Sequence, residues 1–111
     1  MSSFLPCDIV FAPFPYEEGI ELAKVRPVLI LTRLNEKGQY KVAKITTTPR
    51  PYEMELPADE ETGLLRVSWL DMNQTAYIYE TDILYKVGRL PESLKESFKA
   101  YLLKLRSFKK R

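Results

Sequence analysis

The chain up to residue 79 consists of short apolar or alternating segments separated by turn residues, a pattern typical of β-strands. The alternation is clearest where Tyr52, Met54 and Leu56 share one face and two glutamates share the other. Strands this short predict a small, curled antiparallel sheet or barrel. The predicted strands cover residues 8–14, 27–33, 40–46, 52–56, 64–72 and 75–79.

The C-terminal tail changes to a period of three and four residues, which predicts an amphipathic helix. Pro91 suits the first helical turn, and Glu92 complements the positive end of the helix dipole. We expect this helix to pack on the sheet and residues 80–85 to form a short helical turn. The chain, 1–111, then forms a single domain that is mainly β with α. The apolar face of the helix comprises Leu94, Phe98, Tyr101, Leu102, Leu105 and Phe108.

The composition is that of a soluble globular protein, with 45% hydrophobic and 29% charged residues. No apolar run approaches the length that crosses a membrane, and the N-terminus does not resemble a signal peptide. The single Cys7 cannot form an internal disulfide, which fits a reducing compartment. We therefore expect a cytoplasmic protein that does not contact a membrane.

Two residue types limit the chemistry. The sequence has no histidine and one cysteine, which excludes a Ser-His-Asp triad, a Cys-His pair and a cluster of soft metal ligands. Any catalysis must use Arg, Lys, Thr, Ser, Tyr or carboxylate side chains. We expect neither a metal nor another cofactor.

The net charge of +2 is unevenly distributed along the chain. Residues 1–50 carry seven basic and five acidic side chains, residues 51–85 carry one and eight, and residues 86–111 carry nine and two. Basic zones of this kind attract phosphate backbones. A solvated helix with a lysine-rich face gives the same pattern, so charge alone does not decide between them.

Arg26 stands at the entrance to a buried strand. Pro27 restricts Arg26 to extended backbone geometry, and the apolar run 28–31 follows directly. An arginine held in such a place suits the binding of an anion. An ordinary surface arginine beside a carboxylate fits the same pattern.

Three consecutive threonines, Thr46, Thr47 and Thr48, end the third predicted strand. Because sequential strands usually pair, the start of strand two at Arg26 is expected beside the end of strand three at Thr46. The pairing would bring a guanidinium and a hydroxyl together at one end of the sheet. Threonine is also simply a favoured strand residue, so a structural role remains open.

Five segments in order along the chain carry a resemblance to a known family. They are Asp8-Ile9-Val10, Gly19-Ile20-Glu21, Arg26-Pro27 before an apolar strand, Ile45-Thr46-Thr47, and the segment from Ser68 to Ile78. Their order and spacing resemble the MazF/PemK family, the ribonuclease toxins of bacterial toxin–antitoxin pairs. The resemblance covers residue 7 to about residue 90.

The resemblance implies a small SH3-like antiparallel β-barrel with a C-terminal helix, assembled as a homodimer. It implies metal-independent cleavage of single-stranded RNA that leaves a cyclic phosphate and a free 5′-hydroxyl. The family's active-site arginine and threonine fall on Arg26 and Thr46, and a loop glutamate matches Glu21, the carboxylate available as a base. The expected protein partner is an antitoxin whose acidic tail covers the RNA groove.

Recognition of a single strand needs stacking platforms and contacts to base edges and phosphates. Tyrosines in the first long loop and in the late strand are candidate platforms, although aromatic residues in strands often belong to a core. Tyr79 is a further candidate of this kind, and Trp69 is interpreted as core or dimer interface. The candidate RNA-binding residues are Tyr16, Lys24, Thr47, Thr48, Gln74 and Tyr77.

Two positions depart from the family pattern. The usual glycine before the aspartate is Cys7, and an arginine that members often carry late in the sheet falls on Ala76. These departures favour a second hypothesis, a catalytically silent SH3-like barrel that binds nucleic acid or a protein. A third is the gyrase-poisoning branch of the same fold, which would leave Arg26 without a role.

Overall fold

The computed structural model describes residues 4–15, 24–34, 38–50 and 53–109, with side chains as far as residue 104. Two short 3-10 helices, Glu80–Asp82 and Glu92–Leu94, precede the last strand and the C-terminal helix respectively. The six strands are β1 (Asp8–Phe14), β2 (Lys24–Arg33), β3 (Gln39–Thr46), β4 (Met54–Leu56), β5 (Ser68–Tyr79) and β6 (Tyr85–Arg89), and the helix is α1 (Lys95–Lys109).

The strands form one antiparallel sheet in the order β4-β5-β3-β2-β1-β6. β3 and β2 lie at its centre, and the sheet curls into a half-barrel against which Phe98 of the C-terminal helix packs. The predicted fold class, mainly β with a C-terminal helix, is therefore confirmed.

Both faces of the sheet are apolar near its centre. On the first face, Ile9, Leu29 and Ile45 pack with Leu90 and with Phe98 of α1. On the second face lies a separate cluster that includes Val10, Val28, Ile30, Tyr40 and Val42. Burial on both sides explains why β2 has a continuous apolar run and no alternation. No helix in the described ranges is both long and apolar enough to cross a membrane.

A single bent strand replaces the two strands predicted at 64–72 and 75–79. Ala43 pairs with Thr75, yet the next residue, Lys44, pairs with Asp71, so residues 72–74 form a bulge in β5. Polar residues in the bulge interrupt the apolar pattern, which made one strand look like two. Residues 64–67 precede β5 and belong to its entry loop.

The sequence pattern missed β6. This edge strand pairs with β1 and has little alternation, because two cationic residues and Gly88 interrupt it. Gly88 lies directly against the turn at 59–63, and a Cβ on it would stand 2.3 Å from the carbonyl oxygen of Thr62. The backbone N–H of Arg89 donates to the carbonyl of Glu61 at 2.9 Å in the same contact. The predicted helical turn at 80–85 is present only as the 3-10 helix Glu80–Asp82.

Candidate functional site

Arg26 lies in the first part of β2, where this strand has left its neighbour β3. Opposite β1, Arg26 pairs with Ala12, whereas the pairing with β3 ends at Val28 and Lys44. Pro27 has no N–H to donate to a ladder, which fits the end of pairing at this point. The guanidinium belongs to a half-buried residue, and within the described ranges no carboxylate forms an ion pair with it.

Thr46 is the last residue of β3 and is 8% exposed. Thr46 pairs with Trp69 of β5, and it stands two residues beyond Lys44 on β3, as Arg26 stands two residues before Val28 on β2. Arg26 and Thr46 therefore lie just past the last β2–β3 pair, Val28 and Lys44. The predicted pairing of strands two and three is confirmed over residues 28–33 and 40–44. The Thr46 Oγ1 atom accepts a hydrogen bond from the backbone N–H of Thr48 at 3.1 Å. This bond fixes the oxygen and leaves the hydroxyl hydrogen to be donated elsewhere.

The two side chains share the second face of the sheet. Along β2, Arg26 follows the same alternation as Val28 and Ile30, and along β3 Thr46 follows that of Val42. The second face is thus apolar in its middle and polar at this end. Arginine and threonine are both suited to hold an anion at such a place, through a charged fork and a fixed hydroxyl.

A polar cluster next to this pair joins Gln74, which the sequence predicted, to Lys44 and Asp71, which it did not. Lys44 stands two residues before Thr46 on the same face, and its Nζ donates to Oε1 of Gln74 at 3.3 Å. The Gln74 Nε2 in turn donates to Oδ2 of Asp71 at 3.4 Å. The spacing of Lys44 and Thr46 in the sequence predicts that they share a face of the strand. No sequence pattern predicts the bulge that brings Gln74 to Lys44.

The other predicted RNA-binding residues divide between the two faces. Lys24 is exposed at the start of β2, on the alternation of Arg26. Gln74 reaches the second face from the bulge, and Thr48 follows the end of β3. Tyr77 is 59% exposed and pairs with Lys41, one step out of phase with the second face, so the structure does not bring it to the Arg26–Thr46 pair. Tyr16 and Glu21 lie outside the described residues.

Thr47 points to the opposite side of the sheet from Thr46. It lines a cavity of about 550 Å³, together with Pro27 of β2. The wall also includes Phe11 and Tyr85, whose rings are stacked with centroids 5.3 Å apart. This largely apolar cavity therefore lies behind the Arg26–Thr46 pair.

A family model described as the PemK-like, MazF-like toxin of type II toxin–antitoxin systems matches residues 6–105. The chain belongs to this family. Among solved structures, the toxin is similar to an endoribonuclease in complex with its cognate antitoxin from a mycobacterial species. The TM-score is 0.64 at 14% sequence identity, and the match covers 94% of this chain and 93% of the other, which shows a common fold. The comparison with curated proteins gave no match.

Cys7 keeps the backbone conformation of a glycine in this toxin. Its φ is 77°, the one positive φ at a non-glycine residue in the described ranges. The Cys7 N–H donates to the carbonyl of Ile30 and its carbonyl accepts from the N–H of Leu90, both at 2.8 Å. The tight turn is therefore present despite the side chain. Burial raises the pKa of the thiol, partly offset by Lys95 and Arg89.

Ala76, the second departure of the toxin, lies in the apolar cluster of the second face. It is 9% exposed and pairs with Val42. The sheet therefore has a small apolar side chain there.

Proposed function

We propose that this toxin is a metal-independent endoribonuclease that cuts single-stranded RNA. The observation that carries the proposal is the placement of Arg26 and Thr46 on one face, at the point where β2 and β3 separate. The family and the fold of the mycobacterial endoribonuclease support it.

The 2′-hydroxyl of RNA supplies the nucleophile in this mechanism. Its oxygen attacks the adjacent phosphorus, the bond from phosphorus to the 5′-oxygen breaks, and the products carry a 2′,3′-cyclic phosphate and a 5′-hydroxyl. One proton leaves the 2′-oxygen and one reaches the 5′-oxygen. The protein must orient the phosphate and stabilise the charge that develops on its oxygens.

Arg26 stabilises that charge, because a guanidinium donates two parallel hydrogen bonds to phosphate oxygens and stays charged. Thr46 donates its hydroxyl hydrogen to a phosphate oxygen, since its Oγ1 is already held by the N–H of Thr48. Glu21 is the proposed base that takes the 2′ proton.

Family membership, and not the site geometry, supports the proposed partners. We propose an antitoxin that covers the RNA site, a homodimer as the active form, and the cytoplasm as the place of action. Single-stranded RNA is the substrate because the 2′-hydroxyl can reach in-line geometry only where the strand is not held in a duplex.

Incubation of the wild type with a long single-stranded RNA in excess chelator tests the activity. We expect discrete fragments whose 5′ ends accept phosphate from polynucleotide kinase without prior phosphatase treatment. Arg26→Ala and Thr46→Val should each lower the rate by roughly 100-fold or more, the usual effect of removing one donor to a developing oxyanion. Arg33→Ala, at the other end of β2, is the matched control and should cut at nearly the wild-type rate.

Other outcomes select the other hypotheses. Binding of RNA without cleavage would favour the catalytically silent SH3-like barrel. The apolar environment of Ala76 agrees with that hypothesis. Growth arrest with intact RNA and inhibited gyrase would favour the gyrase-directed branch. Equal cleavage by the wild type and Arg26→Ala would refute the assignment of Arg26.

A further inference from the structure

Lys44 occupies a position where a lysine is unusual. It lies on β3, which β2 and β5 flank on both sides, and it pairs with Val28 on one side and with Asp71 on the other. Its residue is half-buried, and lysine is depleted in strands and avoids burial. Departures of this kind from the local rules concentrate at functional sites.

The ammonium group of Lys44 has a defined position. The Gln74 side chain accepts from Nζ at 3.3 Å, and Gln74 is itself bonded to Asp71, which is 5% exposed. The Asp71 Oδ1 atom also accepts from the backbone N–H of Asn73 at 3.0 Å, so the carboxylate holds the bulge of β5. The bulge therefore fixes a positive charge beside the end of β3.

This charge lies two residues from Thr46 along β3, next to the proposed cleavage site. Residues two apart on a strand are about 6.6 Å apart and project from the same face, so Lys44 neighbours Thr46 and the register position of Arg26. Gln74 draws the ammonium towards β5, away from β2. A phosphate that contacts Lys44 would therefore neighbour the phosphate held by Arg26 and Thr46, and the two phosphates would be different ones.

We infer that Lys44 binds the phosphate adjacent to the scissile one, held for this task by Gln74 and Asp71. The inference rests on the proposed ribonuclease function and adds a residue to the same site. An ammonium is a compact point charge that suits a phosphate in substrate binding. Such a contact acts equally on bound substrate and transition state, so its loss should raise KM and leave kcat nearly unchanged.

Salt dependence of RNA binding tests the inference, because each phosphate contact contributes about 0.7 to the slope of log affinity against log salt on a single strand. The probe is the RNA that the wild type cuts, with a 2′-deoxy sugar at the mapped cut position. Lys44→Met should lower this slope by about 0.7 and raise KM. Lys44→Arg should restore the slope, since it restores the charge.

Lys41→Met is the matched control. Lys41 is a half-buried lysine on the same strand, three residues away and on the alternate side. It should leave the slope and KM unchanged.

The outcomes separate the two proposals. If the wild type cuts RNA and Lys44→Met keeps the wild-type slope, even with lower thermal stability, Lys44 has only a structural role and the inference is refuted. If the wild type neither cuts nor binds RNA, the ribonuclease proposal fails and the role of Lys44 fails with it. A Lys44→Met protein that loses kcat and keeps KM would also overturn the inference, since it would place Lys44 at the scissile phosphate.

Discussion

At the level of single residues, the sequence predicted Arg26 and Thr46 of the candidate site but not Lys44. The sequence predicted Arg26 and Thr46 as neighbours because strand pairing and Pro27 are local signals. The structure places them on one face and leaves their catalytic roles as predictions. Lys44 was overlooked because its significance depends on Gln74, whose position is set by a bulge with no sequence signature.

Cys7 provides a test at the level of one residue. A left-handed conformation costs a side-chain-bearing residue roughly 1–2 kcal/mol, whereas glycine adopts it freely. Cys7→Gly and Cys7→Ala both remove the thiol that packs on the first-face cluster, but only glycine relieves the backbone. We expect Cys7→Gly to exceed Cys7→Ala in free energy of unfolding by about 1 kcal/mol, measured by urea denaturation. Equal stability of the two variants would mean that the turn relaxes without cost.

Contacts between elements explain where sequence reasoning succeeded and where it failed. The strong 3.6 period predicted α1, and the alternation around Met54 predicted β4, since both elements bury one side only. β6 has no such asymmetry in its sequence, because backbone contact with the turn at 59–63 holds it in place. Long-range pairing of that kind leaves no periodic pattern.

Besides the apolar packing of Phe98, hydrogen bonds to the Glu53 carboxylate connect the helix to the sheet. Glu53 accepts from the hydroxyl of Tyr101 on α1, from the side chain of Asn73 at 3.1 Å and from the N–H of Met72 at 3.4 Å. Burial and the hydrogen bond to Glu53 raise the pKa of Tyr101 far above its ordinary value of 10.0. α1 is therefore linked to the bulge that carries Gln74.

This link predicts a pH dependence of stability. Below the ordinary pKa, Tyr101 is neutral in both states, so its contribution to stability is complete. Above it, the unfolded tyrosine loses its proton while the folded one keeps it, so the free energy of unfolding falls as pH rises. Urea midpoints at about pH 8 and about pH 11 should fall less in Tyr101→Phe and in Glu53→Gln than in the wild type. An equal fall in all three proteins would contradict the role of this pair.

At the scale of the whole molecule, the proposed homodimer needs an apolar contact surface. Leu65 is 98% exposed and Tyr85 is 57% exposed, and both line the cavity behind the Arg26–Thr46 pair. Isolated exposed apolar residues are common, but a fully exposed leucine at the rim of an apolar cavity is typical of an interaction site.

A charge at this rim should therefore weaken the dimer. We expect Leu65→Lys to shift the protein towards monomer in sedimentation experiments over a range of concentrations, because it buries a charge in the contact. Leu103→Lys is the control, since Leu103 is 63% exposed on α1 and should keep the wild-type association state. Unchanged association of Leu65→Lys would place the dimer contact elsewhere.

The cavity behind Arg26 and Thr46 offers a place where a small molecule could inhibit the proposed activity. Pro27 and Thr47 line the cavity on one side of the sheet, and their chain neighbours Arg26 and Thr46 project on the other. A small molecule bound in the cavity would contact Pro27 and Thr47 and could displace the backbone of their neighbours Arg26 and Thr46. Such a compound would alter the spacing of the two groups without occupying the proposed RNA site, so we expect its inhibition to be noncompetitive with RNA.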